Sequence, residues 1–168
     1  VIIGYFVFVP QDCVAVIPIE GAIAVESSQA GLLGGGTVGS EELVKLIDQA
    51  NSSGNVKAIV LEINSPGGSV VATKEIYNEL KGVQKPTVAY FREVAASGGY
   101  YIATPSDYII SDPNAITGSI GVRATYEDLS GLFEKLGINY TVIKSGERKD
   151  MGDPSRPLTE EEKRIMQG

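Results

Sequence analysis

The chain contains two successive copies of one pattern, an apolar strand followed by a glycine-rich turn and a helical segment. In the first copy, residues 56–63 form an apolar run, 64–69 contain a Pro-Gly-Gly turn, and 70–81 have apolar residues at helical spacing. In the second copy, the apolar run 87–91 leads through small residues to the short segment 100–103. Strands that alternate with helices predict an α/β fold with a mostly parallel sheet.

The rest of the chain continues this alternation, and no linker or low-complexity segment divides it. Ser40 is a predicted helix N-cap before the first copy, Gly137 closes a predicted helix after the second copy, and Thr159 caps the last helix. The other predicted bounds, in chain order, are 14–19 for a strand, 26–40 for a Ser/Gly-rich loop, 108–111 for a strand, 126–136 for a helix, 139–144 for a strand and 145–157 for a polar loop.

The first ten residues differ from the rest of the chain in composition. Residues 1–9 are continuously apolar and end at Pro10, but a helix needs about 20 residues to cross a bilayer. We therefore expect residues 1–10 to be the remnant of an N-terminal membrane anchor; the alternative is a buried strand. Residues 11–168 are numerous enough to form one domain with a hydrophobic core.

Charge and side-chain chemistry argue against several classes of function. The net charge of −7 argues against nucleic acid as a partner. The chain has no histidine and a single cysteine, Cys13, which argues against a transition-metal site and excludes an internal disulfide. Neither a phosphate-binding loop motif nor a dinucleotide-binding motif occurs, so we expect no metal and no cofactor.

Ser97 is a candidate nucleophile because a serine between a strand and a helix, with small neighbours, can present its hydroxyl to a substrate. In a parallel sheet, the turns at Gly67-Gly68 and at Ser97-Gly98 both lie at the carboxyl edge. The N–H groups of Gly68 and Gly98 would then form a two-donor oxyanion hole. The alternative is that Ala-Ala-Ser-Gly-Gly is only a close-packed turn.

The lack of histidine rules out a Ser-His-Asp triad for Ser97. A Ser/Lys pair is the main alternative, since a desolvated lysine loses its proton near neutral pH and can serve as base. From the residues alone, Lys149 lies in a charged run that is more typical of a solvated surface, and Lys144 is a competing candidate. Ser119 is more typical of a turn, and Ser69 of a helix N-cap.

Four motifs occur together: Asn-Ser-Pro-Gly-Gly-Ser at 64–69, Ala-Ala-Ser-Gly-Gly-Tyr-Tyr at 95–101, Thr-Gly-Ser-Ile-Gly-Val at 117–122 and Ser-Gly-Glu-Arg-Lys-Asp at 145–150. Because these motifs occur in this order, the chain resembles, across residues 14–165, the signal peptide peptidase A family of membrane-anchored Ser/Lys serine peptidases. The resemblance implies the fold shared by Clp protease and crotonase, built from repeated strand-strand-helix units.

The resemblance also implies a role for each candidate residue. Ser97 matches the nucleophile, Lys149 the general base, and Ser119 the hydroxyl that orients the lysine amine. Gly68 and Gly98 match the oxyanion-binding positions. The family hydrolyses remnant signal peptides or other hydrophobic peptides, and it forms ring-like homo-oligomers in which the lysine can act in trans. The resemblance further implies a single-pass anchor in the cell membrane, with the catalytic domain on the extracytoplasmic side.

The family's catalytic domain continues past the helix at 160–167, so the resemblance implies that the catalytic domain at 11–168 is truncated at its C-terminus. Three other functions remain open. Stomatin-cleaving Ser/Lys proteases share the two glycine turns, although their lysine lies nearer the serine in sequence. A crotonase-like acyl-CoA enzyme would use the paired glycines to stabilise a thioester enolate, but no acidic residue is obviously placed as its acid/base, although Glu93 is nearby in sequence. A non-catalytic scaffold is the third.

Overall fold

The computed structural model describes residues 11–28 and 36–168, which fall into two compact units. The first unit ends at Val122, and the second spans Arg123–Gly168. The predicted anchor remnant at 1–10 and part of the predicted loop 26–40 lie outside the described residues. Among the residues that are described, no helix is both long enough and apolar enough to cross a membrane.

The strands of the described residues all belong to the first unit and form two parallel sheets. In chain order, they are Cys13–Glu20 (β1), Ala22–Ala24 (β2), Thr37–Gly39 (β3), Val56–Ser65 (β4), Thr87–Ala96 (β5), Tyr108–Ser111 (β6) and Ile116–Gly118 (β7). The main sheet has the order β1-β4-β5-β6, and β7 also pairs with β5. β2 and β3 form the smaller sheet.

The helices complete the predicted α/β arrangement. They are Ser40–Ser52 (α1), Val70–Gly82 (α2) and Gly98–Ala103 (α3) in the first unit, and Ser130–Lys135 (α4) and Glu160–Gln167 (α5) in the second. The two predicted repeats are present as β4 followed by α2 and β5 followed by α3. Because β4 and β5 are parallel neighbours, the turns that follow them lie at the same edge of the sheet.

The core of the first unit lies between the main sheet and helices α1 and α2. Ile59, Leu61 and Ile63 alternate along β4 and are fully buried, because successive side chains of a strand point to opposite faces. Ile47 of α1 and Ile76 of α2 belong to the same buried cluster. Each of these side chains contributes about 1.5–3 kcal/mol on burial. This packing fixes the strand ends from which the two glycine turns leave.

Two predicted helix caps have different outcomes. Ser69 caps α2 as predicted, since its Oγ accepts a hydrogen bond from the N–H of Ala72 at 3.5 Å. The prediction that Ser40 caps α1 is wrong, because Gly39 occupies the N-cap position and Ser40 is the first helical residue. The buried hydroxyl of Ser40 instead donates to the Glu75 carboxylate at 2.5 Å and links α1 to α2.

In the second unit, α4 is shorter than the predicted helix 126–136. The Asp128 carboxylate accepts hydrogen bonds from the N–H and the hydroxyl of Ser130, and this local turn replaces the expected first helical turn. At the other end, Gly137 closes α4 as predicted. It has a φ of 66°, and its N–H donates to the carbonyl of Glu134.

The predicted strand 139–144 is wrong. In the described part of the chain, these residues pair with no other strand, and Ile143 is 96% exposed. An apolar run forms a strand only where a neighbouring strand satisfies its backbone groups. Thr159 does cap α5 as predicted. Its hydroxyl accepts from the N–H of Glu162, whose side chain accepts from the N–H of Thr159.

Candidate active site

Ser97 is the single residue between β5 and α3. The predicted strand 87–91 continues to Ala96 and α3 begins at Gly98, so the chain turns from strand to helix at Ser97. Ser97 has φ 53° and ψ −118°, a conformation that costs a residue with a side chain about 1–3 kcal/mol. Strained strand-to-helix turns of this kind present the nucleophilic serine in α/β-hydrolases. The Ser97 side chain does not cap α3, so capping does not occupy its hydroxyl.

Backbone hydrogen bonds on both sides hold Ser97 in this conformation. Its N–H donates to the carbonyl of Gly118 at 2.8 Å, and its carbonyl accepts from the N–H of Tyr101 at 2.9 Å. Next to the first bond, the hydroxyl of Thr117 donates to the carbonyl of Ala95 at 2.8 Å. β7 therefore anchors the end of β5, and α3 anchors the residue that follows it.

The glycine turn after β4 lies directly against the Ser97 turn, as the sequence predicted. Gly67 has a φ of 90°, and a Cβ at this position would lie 2.5 Å from the nitrogen of Gly98. A Cβ at Gly98 would lie 2.7 Å from the Oγ1 of Thr73 on α2. Neither position has room for a side chain, so glycine at both is what lets the two turns approach this closely.

β2 runs beside the first turn and sets the direction of the Gly68 N–H. The N–H of Ile23 donates to the carbonyl of Gly67 at 2.9 Å, and the N–H of Ser69 donates to the carbonyl of Ile23 at 2.8 Å. Because the neighbours of Gly68 make these bonds, its own N–H and carbonyl point away from β2. Among the described residues, no acceptor receives a hydrogen bond from the N–H of Gly68 or of Gly98. Both donors are available to a ligand oxygen.

Ser119 lies one residue beyond the carbonyl that holds Ser97. Gly118 has a φ of 85° and Ser119 a φ of 52°. In the described part of the chain, Ser97 and Ser119 are the two residues other than glycine with a positive φ. Ser119 is exposed, and its position after β7 ties it to the same sheet edge as Ser97. The structure therefore brings Ser97, Ser119, Gly68 and Gly98 together within the first unit.

Lys149 belongs to the second unit, where it lies in an exposed turn. Its side chain makes no hydrogen bond or ion pair with any residue that the structure describes. The competing candidate, Lys144, is engaged: its Nζ contacts the Asp150 carboxylate at 2.7 Å and the carbonyl of Glu147 at 2.8 Å. Of the two lysines, Lys149 has the uncommitted amine.

A network of charged side chains fixes the residue after Lys149. Arg156 donates to both carboxylate oxygens of Asp150, at 2.9 and 3.0 Å, and to both carboxylate oxygens of Glu162, at 2.5 and 2.9 Å. The Arg156 guanidinium and then the Lys144 amine hold the pKa of Asp150 well below its usual range. Arg156, followed by the N–H of Thr159, lowers the pKa of Glu162 to about 2. Both acids therefore stay ionised down to low pH.

The sequence signals only part of this network. The Thr159-x-x-Glu162 spacing is a capping-box signal that would have located Glu162. Arg156, in a polar loop, carries no comparable signal.

Within residues 11–28 and 36–168, no cluster of acidic or cysteine side chains is placed to hold a metal ion.

Comparison with known proteins identifies the family. The model of peptidase family S49 matches residues 79–168, which is more than half of the chain, and the Clp protease model matches residues 37–115. The chain belongs to peptidase family S49. This finding confirms the resemblance to signal peptide peptidase A that the four motifs indicated.

Individual relatives agree with this assignment. A protein of Enterococcus faecium with the provisional name signal peptide peptidase SppA is 44% identical over 115 residues, covering 67% of this chain and 33% of that protein. Protease 4 from Haemophilus influenzae is 35% identical over 137 residues, covering 80% of this chain and 22% of that protein. The chain thus spans a third or less of the length of these relatives.

Two solved structures confirm the predicted Clp protease-like fold. ClpP1 from Listeria monocytogenes has a TM-score of 0.52 at 24% identity, covering 62% of this chain and 55% of ClpP1. The 1510-N membrane protease from Pyrococcus horikoshii, which is specific for a stomatin homolog, has a TM-score of 0.51 at 26% identity. That match covers 65% of this chain and 50% of the protease.

Proposed function

We propose that the protein is a serine endopeptidase with Ser97 as its nucleophile and Lys149 as its general base. The observation that carries this proposal is the position of Ser97 in a strained turn, beside the unused N–H groups of Gly68 and Gly98. Acyl transfer requires a nucleophilic hydroxyl and donors for the oxyanion that forms, and these three residues supply both. Membership of peptidase family S49 supports the same reaction class.

The proposed reaction has two halves. The neutral amine of Lys149 takes the proton of the Ser97 hydroxyl while Oγ bonds to the scissile carbonyl carbon. The Gly68 and Gly98 N–H groups bind the oxyanion, and losing one such donor costs about 3 kcal/mol of transition-state stabilisation. The Lys149 ammonium then protonates the leaving amine as the C–N bond breaks. Water, deprotonated by Lys149, attacks the acyl-enzyme, and the proton returns to Ser97.

The choice of Lys149 as base rests on the contacts of the two candidate lysines. The amine of Lys144 is engaged by the Asp150 carboxylate and by the carbonyl of Glu147. Lys149 has no competing partner among the described residues. We assign to Ser119 the task of orienting the Lys149 amine by a hydrogen bond, since Ser119 directly follows Gly118, whose carbonyl accepts from the N–H of Ser97.

The lysine can come from the same chain or from a second copy in a ring-like homo-oligomer. Mixing the Ser97→Ala protein with the Lys149→Ala protein distinguishes these arrangements. A base supplied in trans restores activity in mixed oligomers, because one subunit then provides the serine and its neighbour the lysine. A base supplied in cis leaves the mixture inactive.

We propose hydrophobic peptides, including remnant signal peptides, as substrates, with the protein anchored in the cell membrane and its catalytic domain on the extracytoplasmic side. The similarity to the provisionally named signal peptide peptidase of Enterococcus faecium supports this substrate class. The structural similarity to the 1510-N protease favours a second candidate, cleavage of a stomatin-like protein. Parallel cleavage assays with a signal peptide and a stomatin C-terminal peptide, at equal concentration, decide between them.

The test of the proposed function is turnover of a fluorogenic peptide of small and apolar residues by the intact protein. Wild type, Ser97→Ala and Lys149→Ala are compared from pH 6 to pH 10. We expect hydrolysis by the wild type and its loss in both variants. Full activity in Ser97→Ala would overturn the proposal.

A further inference from the structure

We propose that Thr73 is a positioning residue that keeps the two oxyanion-binding turns in register, through contacts with both of them. This inference rests on the proposed peptidase function. Thr73 lies on the first turns of α2 and is 4% exposed, so solvent does not compete for its contacts. Its side chain does not touch the reacting atoms in the proposed mechanism, and it acts through Gly68 and Gly98.

The first contact is with the turn that carries Gly68. The Thr73 hydroxyl donates to the carbonyl of Ser69 at 2.6 Å, and the N–H of Thr73 donates to the same carbonyl at 3.0 Å. The preceding peptide unit, between Gly68 and Ser69, is bound by β2 through the hydrogen bond from the Ser69 N–H to the carbonyl of Ile23. The chain on the C-terminal side of Gly68 is thereby held from two directions.

The second contact is with the turn that carries Ser97. The Thr73 Oγ1 and Cγ2 lie 2.7 and 3.2 Å from where a Cβ on Gly98 would be. The Cα of Gly67 closes the other side of that position, also at 3.2 Å. The Thr73 side chain therefore fills the space above Gly98 and leaves this glycine little room to move.

The hydroxyl of Thr73 takes part in both contacts. The hydrogen bond to Ser69 selects one χ1 rotamer, and a β-branched side chain is stiff about χ1. In that rotamer, both Oγ1 and the methyl carbon of Thr73 lie against Gly98. Loss of the hydroxyl removes the bond to the Ser69 carbonyl, and the separation of the Gly68 and Gly98 N–H groups is no longer fixed. A displaced catalytic donor lowers turnover strongly, even when it moves by about 1 Å.

Thr73→Val and Thr73→Ser test the role of the hydroxyl in the intact protein. Thr73→Val keeps the side-chain shape and removes the hydroxyl, while Thr73→Ser keeps the hydroxyl. In both variants, the Ser69 carbonyl still accepts a hydrogen bond from the N–H of residue 73, so neither substitution leaves this carbonyl without a donor. Thr104→Val is the control, because the Thr104 hydroxyl likewise donates to a carbonyl of its own helix, that of Tyr101, but is exposed.

The measurements are kcat and KM with the fluorogenic peptide, the rate of Ser97 labelling by a fluorophosphonate, and the thermal unfolding midpoint. We expect Thr73→Val to lower both kcat and the labelling rate by at least roughly ten-fold. KM and the unfolding midpoint should stay close to those of the wild type. Thr73→Ser should recover most of the kcat, and Thr104→Val should match the wild type.

Two results would overturn the inference while leaving the peptidase proposal intact. One is a Thr73→Val variant with wild-type kcat and labelling rate. The other is a Thr73→Val variant whose reduced kcat accompanies an equal loss of folded protein, since a merely structural role predicts that pattern. If the wild type itself neither turns over peptide nor reacts at Ser97, the proposed function fails first and the inference fails with it.

Discussion

The backbone N–H of Ser97 donates to the carbonyl oxygen of Gly118 at 2.8 Å, and this bond joins the turn after β5 to the end of β7. It holds a serine at φ 53° and ψ −118°, where a side chain is strained. The strained residue is also the proposed nucleophile. Strain that the surrounding structure maintains is a common property of active-site residues, and here it has a measurable consequence for stability.

The first prediction concerns this strain. Ser97→Gly and Ser97→Ala both remove the hydroxyl, but only glycine adopts a positive φ without cost. We expect Ser97→Gly to be about 1 kcal/mol more stable than Ser97→Ala, after allowing for the greater chain entropy of unfolded glycine. Urea unfolding of both variants measures the difference.

Ser52 supplies a matched control for the strain prediction. It is the exposed last residue of α1, where glycine gains no relief of strain and is less favourable than alanine because its unfolded chain has more entropy to lose. The order should therefore reverse, with Ser52→Ala more stable than Ser52→Gly. The same order at both positions would mean that Ser97 is not strained.

The second prediction tests the contact between the glycine turns. In Gly67→Ala, the new methyl group would lie 2.5 Å from the Gly98 nitrogen, and alanine would be strained at φ 90°. We expect a loss of more than about 2 kcal/mol in the free energy of unfolding, together with loss of peptidase activity. Chemical unfolding and the peptide assay, run on the same preparation, measure both effects.

Gly82→Ala is the control for this substitution. Gly82 ends α2, and an added Cβ there meets open space. We expect this variant to keep wild-type activity and to change stability by less than about 1 kcal/mol. If Gly67→Ala were equally harmless, the two turns would not be in the described contact.

The third prediction separates the two candidate lysines. Arginine stays protonated and has no acceptor, so Lys149→Arg keeps the positive charge but cannot take a proton from Ser97. We expect Lys149→Arg to lower kcat by at least roughly a hundred-fold, as for loss of a general base. Lys144→Arg retains an ion pair with Asp150 and should keep most of the activity. The opposite ranking of the two variants in kcat would make Lys144 the base.

The fourth prediction concerns the pH dependence of the second unit. Arg156 lowers the pKa of Asp150 and of Glu162, the latter to about 2. A carboxyl whose pKa is lowered by folding adds stability above its unfolded pKa and loses it as pH falls through its folded pKa. The stability that Arg156 provides should therefore be complete at neutral pH. It should decline as the pH falls from about 4.5 toward about 2.

Arg156→Gln tests this pH dependence. We expect its difference from the wild type in unfolding free energy to be largest at pH 7 and to narrow below pH 4.5. Arg148→Gln is the control, because the Arg148–Glu161 pair is more than half exposed and such pairs contribute little. A difference between wild type and Arg156→Gln that does not change with pH would contradict the account of this network.

The elements around the site could be predicted because their signals are local. Gly67-Gly68 and Ser97-Gly98 follow apolar runs, and glycine marks positions where a side chain does not fit. Thr73 had no such signal. It occupies an ordinary helical position, and its proposed role depends on its contact with Gly98, which is distant in sequence.

The failed predictions have the same physical origin. Ser40 has the composition of an N-cap, but its hydroxyl bonds to Glu75, 35 residues away, and the helix begins one residue earlier than that cap would place it. Residues 139–144 have the apolar composition of a strand, but a strand also requires a partner, which composition does not reveal. Arg156 connects Asp150 to Glu162 across a polar loop without any regular spacing.

The most direct test of the central claim is to find which residue a fluorophosphonate modifies in the intact, folded protein. After labelling and proteolytic digestion, mass spectrometry locates the adduct, with urea-unfolded protein as the control for nonspecific reaction. The account predicts a single adduct on Ser97, absent from the unfolded control and from Lys149→Arg. An adduct on another serine of the active protein, or complete loss of activity while Ser97 stays unmodified, would contradict it.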